Sequence, residues 1–286
     1  MTDNLNYAPL KSICGFMFSG GIDPNVYYFT RPRMWIRKNW VVSRPTLISG
    51  YPGLGRVGEV VLRFLVRELS AKQIGIVTSP YFSSQAVVGK DGIARLTAVR
   101  LFLKPRPEGD LLLALGEQHQ ELIGGEFETC RVLLSFFKKV GGTKVITVGG
   151  HMEPPRGNLR TYVFASDARL PSQLKADGFT MAPAGTPIVG AAGIALGLSR
   201  LLGLQGIGIL GLTNSEGPDL EAARHVLGNV DTLLKLGLDF SKFENETRKW
   251  KQLQEQYRKG LRRLEEDQRF SSLLQGRGSE GPDYLG

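Results

Sequence analysis

Short apolar runs alternate along this chain with stretches in which apolar positions recur every three or four residues, the signature of strands alternating with amphipathic helices. Residues 46–50 form such a run and end in a glycine-dense turn, and the spacing over 59–69 predicts a helix. A strand follows at 74–77. The runs 86–88 and 93–103 flank Lys90-Asp91-Gly92 and read as a hairpin. Residues 110–116 are apolar without interruption, the pattern of a strand covered on both faces. A helix over 127–140, strands at 144–148 and 160–165, a helix over 190–202, a strand at 206–212 and a helix over 219–228 complete the series. Buried strands alternating with helices predict an α/β fold, a three-layer α/β/α sandwich whose mainly parallel sheet is made mixed by the two hairpin-like insertions.

Both ends depart from this rhythm. Residues 1–44 are broken by Gly15, Gly20, Gly21, Asp23-Pro24 and Arg31-Pro32-Arg33, and read as an irregular extension or as a segment ahead of a later start at Met34. The core domain is expected over 45–240. Phe243, Trp250, Tyr257 and Leu264 then recur every seven residues, widened by Leu253 and Leu261. This stripe predicts a long amphipathic helix over 241–270 that packs on its own domain or on a sister subunit. Residues 271–286 contain Gly276, Gly278, Gly281 and Pro282 and read as a flexible tail ending in Asp283-Tyr284-Leu285-Gly286.

Composition narrows the function classes. No apolar run reaches the ~18 residues of a membrane span, and residues 188–204 carry Ser199 and Arg200. The N-terminus lacks the basic-then-apolar order of a signal peptide, so the expected location is cytoplasmic. The two cysteines, Cys14 and Cys130, form neither a zinc ligand set nor a disulfide framework. Cys130 sits at helix spacing with Phe127, Leu133, Leu134 and Phe137, the place of a small core residue. The net charge of +9 is dispersed except for Arg31, Arg33, Arg37 and Lys38, interleaved with Trp35 and Trp40, which argues against nucleic acid as the partner.

The turn at 50–58 resembles two phosphate cradles and completes neither. Gly53, Gly55 and Gly58 match the dinucleotide spacing, but the next strand ends in Thr78-Ser79-Pro80 where a ribose-binding carboxylate is needed. Gly50 and Gly55 have P-loop spacing, with Arg56 and Val57 in place of the lysine and the metal-binding hydroxyl. Two readings follow. The glycines permit a tight turn and close strand–helix packing, or Gly53, Gly55, Arg56 and Gly58 present a helix N-terminus to an anion. His119 and His151 each follow a predicted strand, and Glu117, Glu121 and Glu126 lie near His119. An acid/base pair is conceivable there, but no nucleophile motif accompanies it. No metal site and no cofactor are expected.

Taken in order, Thr46-Leu-Ile-Ser-Gly-Tyr-Pro-Gly-Leu-Gly-Arg-Val-Gly58, Asp110-Leu-Leu-Leu-Ala-Leu-Gly-Glu-Gln118, Ile146-Thr-Val-Gly-Gly150, Gly190-Ala-Ala-Gly-Ile194 and Gly206-Ile-Gly-Ile-Leu-Gly211 resemble the archaeal proteasome assembly chaperone family. Members of that family are sometimes labelled ATP-grasp-like. The resemblance spans about residues 45–235 and implies a nucleoside-phosphorylase-like α/β/α fold without an established reaction. It also implies a homo-oligomer that assists assembly by binding proteasome α subunits. Some members end in a hydrophobic–tyrosine–any-residue motif that docks on the proteasome. Here Tyr284 stands one place early, with Leu285 at the tyrosine position and Gly286 last. The competing reading is a phosphorylase- or ligase-like enzyme that uses the glycine turn for an anion and Glu117 or His119 as acid/base.

Overall fold

The structure is a computed structural model that describes residues 7–9, 31–37, 40–83, 85–118, 124–215, 217–245 and 247–248. The chain divides into two units, Met1–Leu238 and Asp239–Gly286.

The first unit is built on a nine-stranded sheet in the order β1-β2-β4-β7-β8-β3-β9-β11-β10. Its strands are β1 (Tyr7–Pro9), β2 (Arg33–Arg37), β3 (Thr46–Gly50), β4 (Lys72–Thr78), β7 (Val99–Lys104), β8 (Leu111–Gly116), β9 (Lys144–Met152), β10 (Thr161–Ala165) and β11 (Gln205–Thr213). The four central strands β8, β3, β9 and β11 are parallel, while β1, β2, β4, β7 and β10 pair antiparallel on the wings. The strands β5 (Ala86–Val88) and β6 (Ala94–Leu96) form a separate two-stranded hairpin.

Helices cover both faces. Helices α1 (Val57–Glu68) and α5 (Leu220–Leu234) lie together on one face, and α2 (Gly125–Lys139) and α4 (Ala191–Leu201) on the other. A short helix, α3 (Leu170–Ala176), follows β10. This three-layer, mixed α/β arrangement is the expected fold. All six residues of β8 are buried, as an uninterrupted apolar run requires. In β7, Val99, Leu101 and Leu103 are buried and alternate with less buried neighbours, as in a strand with one solvated face. Under α2 and α4 the core is built from Leu47, Leu112, Val145, Cys130, Leu134, Phe137 and Ala195.

Three details differ from the expectation. Residues 33–37, read as irregular, form β2 and pair with β4 in the main sheet, where the Trp35 indole donates to Thr78 Oγ1 at 2.9 Å. The run 93–103 is two strands: β6 pairs with β5, the chain leaves the hairpin at Thr97-Ala98, and β7 enters the main sheet. The helix expected over 219–228 continues to Leu234, with Asp219 as its N-cap accepting from Ala222 N.

In the second unit, residues 240–245 and 247–248 are helical and Phe243 is buried. The rest of the helix expected over 241–270, with Trp250, Tyr257 and Leu264, lies outside the described residues, as do the tail residues Tyr284, Leu285 and Gly286.

Candidate functional site

The glycine turn leaves the carboxyl end of β3. Gly53 is extended, Leu54–Arg56 make one 3-10 turn, and Gly55 (φ 58°) and Arg56 (φ 45°) are left-handed before α1 begins at Val57. Close approach explains the glycines. A Cβ on Gly50 would lie 2.4 Å from Gly58 O, one on Gly58 would lie 2.6 Å from Val148 O, and one on Gly150 would lie 2.2 Å from Leu54 O. Gly55 meets the start of α5, its carbonyl accepting from Asp219 N at 2.7 Å. The turn therefore clamps the ends of β3, β9 and β11 to α1 and α5.

Its electrostatics are those of a closed joint. Arg56 donates to Glu59 Oε2 at 2.7 Å and Arg63 to Glu59 Oε1 at 2.8 Å, and Glu59 is buried. Asp219 accepts from the Thr213 hydroxyl at 2.7 Å and caps α5. An anion arriving here would meet two carboxylates and an arginine already engaged with one of them. Gly50, Gly55 and Gly58 thus have a packing role in this turn, with Arg56 paired to Glu59.

Among the described residues the titratable side chains make separate local contacts. Glu117 is held between the Arg100 guanidinium (2.6 Å) and Ala98 N (3.1 Å), and His119 and Glu121 lie outside the described residues. His151, at the end of β9, packs edge-on against Tyr162 at 6.0 Å, with Nε2 3.9 Å from Glu153 Oε2. The Tyr162 hydroxyl donates to Glu153 Oε1 at 3.4 Å, and burial raises its pKa. His225 lies on α5, where burial and then Arg160 push its imidazole pKa down. Among the described residues no group of three or more His, Cys, Asp or Glu could hold a metal ion.

An exposed apolar surface was not anticipated. The β5–β6 hairpin shows Val87, Val88, Ile93 and Leu96 to solvent, each more than half exposed. A hollow of about 400 Å³ beside it is lined by Thr78, Phe82, Ser83, Leu96 and Thr97 among others. Alternating apolar residues around a polar turn predict the hairpin, but nothing in that pattern says that its apolar side chains stay uncovered.

The family model described as the PAC2 family matches residues 47–257. This chain belongs to the PAC2 family. As a PAC2 protein it is 24% identical over 243 residues to an uncharacterised protein of Methanocaldococcus jannaschii, covering 84% of this chain and 92% of that one. Its fold is similar to that of Pyrococcus furiosus PbaB, described as an archaeal proteasome activator (TM-score 0.73, 26% identity, 80% of this chain and 99% of that one). It is also similar to Pyrococcus furiosus PbaA, described as an archaeal homolog of proteasome-assembly chaperone (TM-score 0.67, 22% identity, 84% of this chain and 97% of that one). No helix among the described residues is long and apolar enough to cross a membrane.

Proposed function

We propose that this PAC2 protein is a non-enzymatic, cytoplasmic, homo-oligomeric chaperone that assists assembly of the proteasome core particle by binding its α subunits. The observation that carries the reading is family membership together with a fold shared over most of the chain with PbaB and PbaA. The turn at 50–58 supports it, since Gly50, Gly55 and Gly58 sit in close contact with neighbouring strands and helices. In this reading Tyr284, Leu285 and Gly286 form a docking tail on a glycine-rich tether. Ordering such a tail costs entropy, so each contact is weak and several copies in one oligomer act together.

Native mass spectrometry of the protein mixed with α and β subunits from the same source tests the proposal. A complex with α subunits, or a gain in assembled particles, is expected. An intact oligomer that binds neither subunit and leaves particle yield unchanged would overturn it.

A further inference from the structure

The two ends of the sheet differ in what they show to solvent. Ten large apolar side chains are exposed among the described residues, and eight of them gather at one end. Leu54 follows β3 and Met152 closes β9, so both lie at the carboxyl ends of parallel strands. Phe127 stands in the first turn of α2 and Val189 just before α4, helices that begin at this edge and run back to the starts of β9 and β11. The hairpin, with Val87, Val88, Ile93 and Leu96, joins the end of β4 to the start of β7. There Val99 pairs with Val77 and with Gly116, the last residue of β8. The remaining two, Val41 and Leu201, lie at the opposite end, before β3 and at the close of α4.

Charge divides the same way. The opposite end carries Arg67, Lys138, Lys139 and Arg200 in the last turns of α1, α2 and α4, and Lys72 and Lys144 at strand starts. Cations suit the carboxyl ends of helices. At the apolar end arginines are matched locally, Arg56 with Glu59, Arg95 with Asp91, Arg100 with Glu117 and Arg131 with Glu128. Two copies of a chain with net charge +9 repel each other through their basic ends. Through the apolar end they meet without setting like charge against like.

The hairpin makes this end suited to its own copy. Ala86 pairs with Leu96 and Val88 with Ala94, so these four exposed side chains share one face that carries no charge. Arg95 belongs to the other face with Val87, its guanidinium bound to Asp91 at 2.8 Å. Two strands alone make a marginal unit, and neither β5 nor β6 has a second neighbouring strand among the described residues. An edge nine strands wide spans roughly 40 Å at about 4.8 Å per strand. That is room for the roughly 800 Å² that each partner gives to a stable interface.

We infer that copies of this chain associate through the carboxyl edge of the sheet, with the Ala86, Val88, Ala94 and Leu96 face of the hairpin inside the contact. The inference rests on the homo-oligomeric part of the proposed function. Sedimentation velocity over a range of concentrations tests it on the full-length parent, on the double variant Val88→Lys with Leu96→Lys, and on Leu201→Lys, the same change at the basic end. The double variant should raise the dissociation constant of the oligomer at least tenfold, and Leu201→Lys should leave it unchanged. In the parent, hydrogen exchange at residues 86–96 should slow as the oligomer forms, a measurement that needs no variant to fold. An oligomer indifferent to the double change, or one that forms without added protection at 86–96, overturns the inference alone. So does a double variant that loses α-subunit binding while its oligomer stays intact, since the face then belongs to that partner. A parent that stays monomeric at every concentration removes the homo-oligomeric reading itself, and this inference with it.

Discussion

Gly58 and Gly197 are both glycines within helices, and the structure separates them. Gly58 lies where a Cβ would strike Val148 O, whereas nothing stands within 4 Å of one added at Gly197. Gly58→Ala should therefore lower the free energy of unfolding by about 1–3 kcal/mol or more through overpacking. Gly197→Ala should raise it by about 0.5–1 kcal/mol, because alanine is the better helix former. Urea unfolding of the two variants beside the parent measures both signs. The glycine spacing was legible in the sequence, but which glycines serve packing was not, since that depends on strands far away along the chain, such as β9 at Val148 and β11 at Thr213. Cys130 was legible as a core residue from its helical spacing. Burial pushes its thiol up to about 12, against an ordinary value near 9. The folded state thus disfavours the thiolate, so stability is full below pH 9 and falls as pH rises from 9 toward 12. Melting curves between pH 8 and 11 should show this decline, and Cys130→Ala should flatten it while lowering stability at neutral pH.

The central strands were readable because they are apolar over their full length, and β8 is the clearest case. Strand β2 was hidden by its own charges. Arg33 and Arg37 bracket a pleat in which Met34 is buried, and the Arg33 guanidinium lies over the Trp35 ring at 5.9 Å. Alternation near a sheet edge with arginines on its less buried side looks like a loop to any reading based on hydropathy. The hairpin poses the reverse problem, since its apolar residues were legible and their exposure was not. Val88 and Leu96 are each 65% exposed, so they contribute little to the fold. Val88→Ser and Leu96→Ser are expected to change the free energy of unfolding by no more than about 0.5 kcal/mol, as chemical denaturation would show.

The first unit takes its order from a few joints at the carboxyl edge of the sheet, while the predicted tail lies beyond the residues the structure describes. Fold and tail should therefore be separable. Deleting Tyr284–Gly286 is expected to leave the melting temperature and the oligomer unchanged and to weaken association with α subunits at least tenfold, as measured by native mass spectrometry or surface plasmon resonance. Equal affinity would remove the tail from the docking surface. The site was less legible than the fold for a physical reason. Strands announce themselves by burying apolar area, whereas a protein-binding surface need differ little in composition from any other surface.

The sheet order also sets a timetable for synthesis. Strand β3 is the first of the parallel strands to be made, yet its two neighbours are β8 and β9, and β9 ends at Met152. At roughly 5–20 residues per second, a nascent chain carries β3 without a permanent neighbour on both sides for several seconds after it leaves the ribosome. The centre of the finished sheet thus closes only after the β1–β8 wing has been made, and before β10 and β11 are added at the other side.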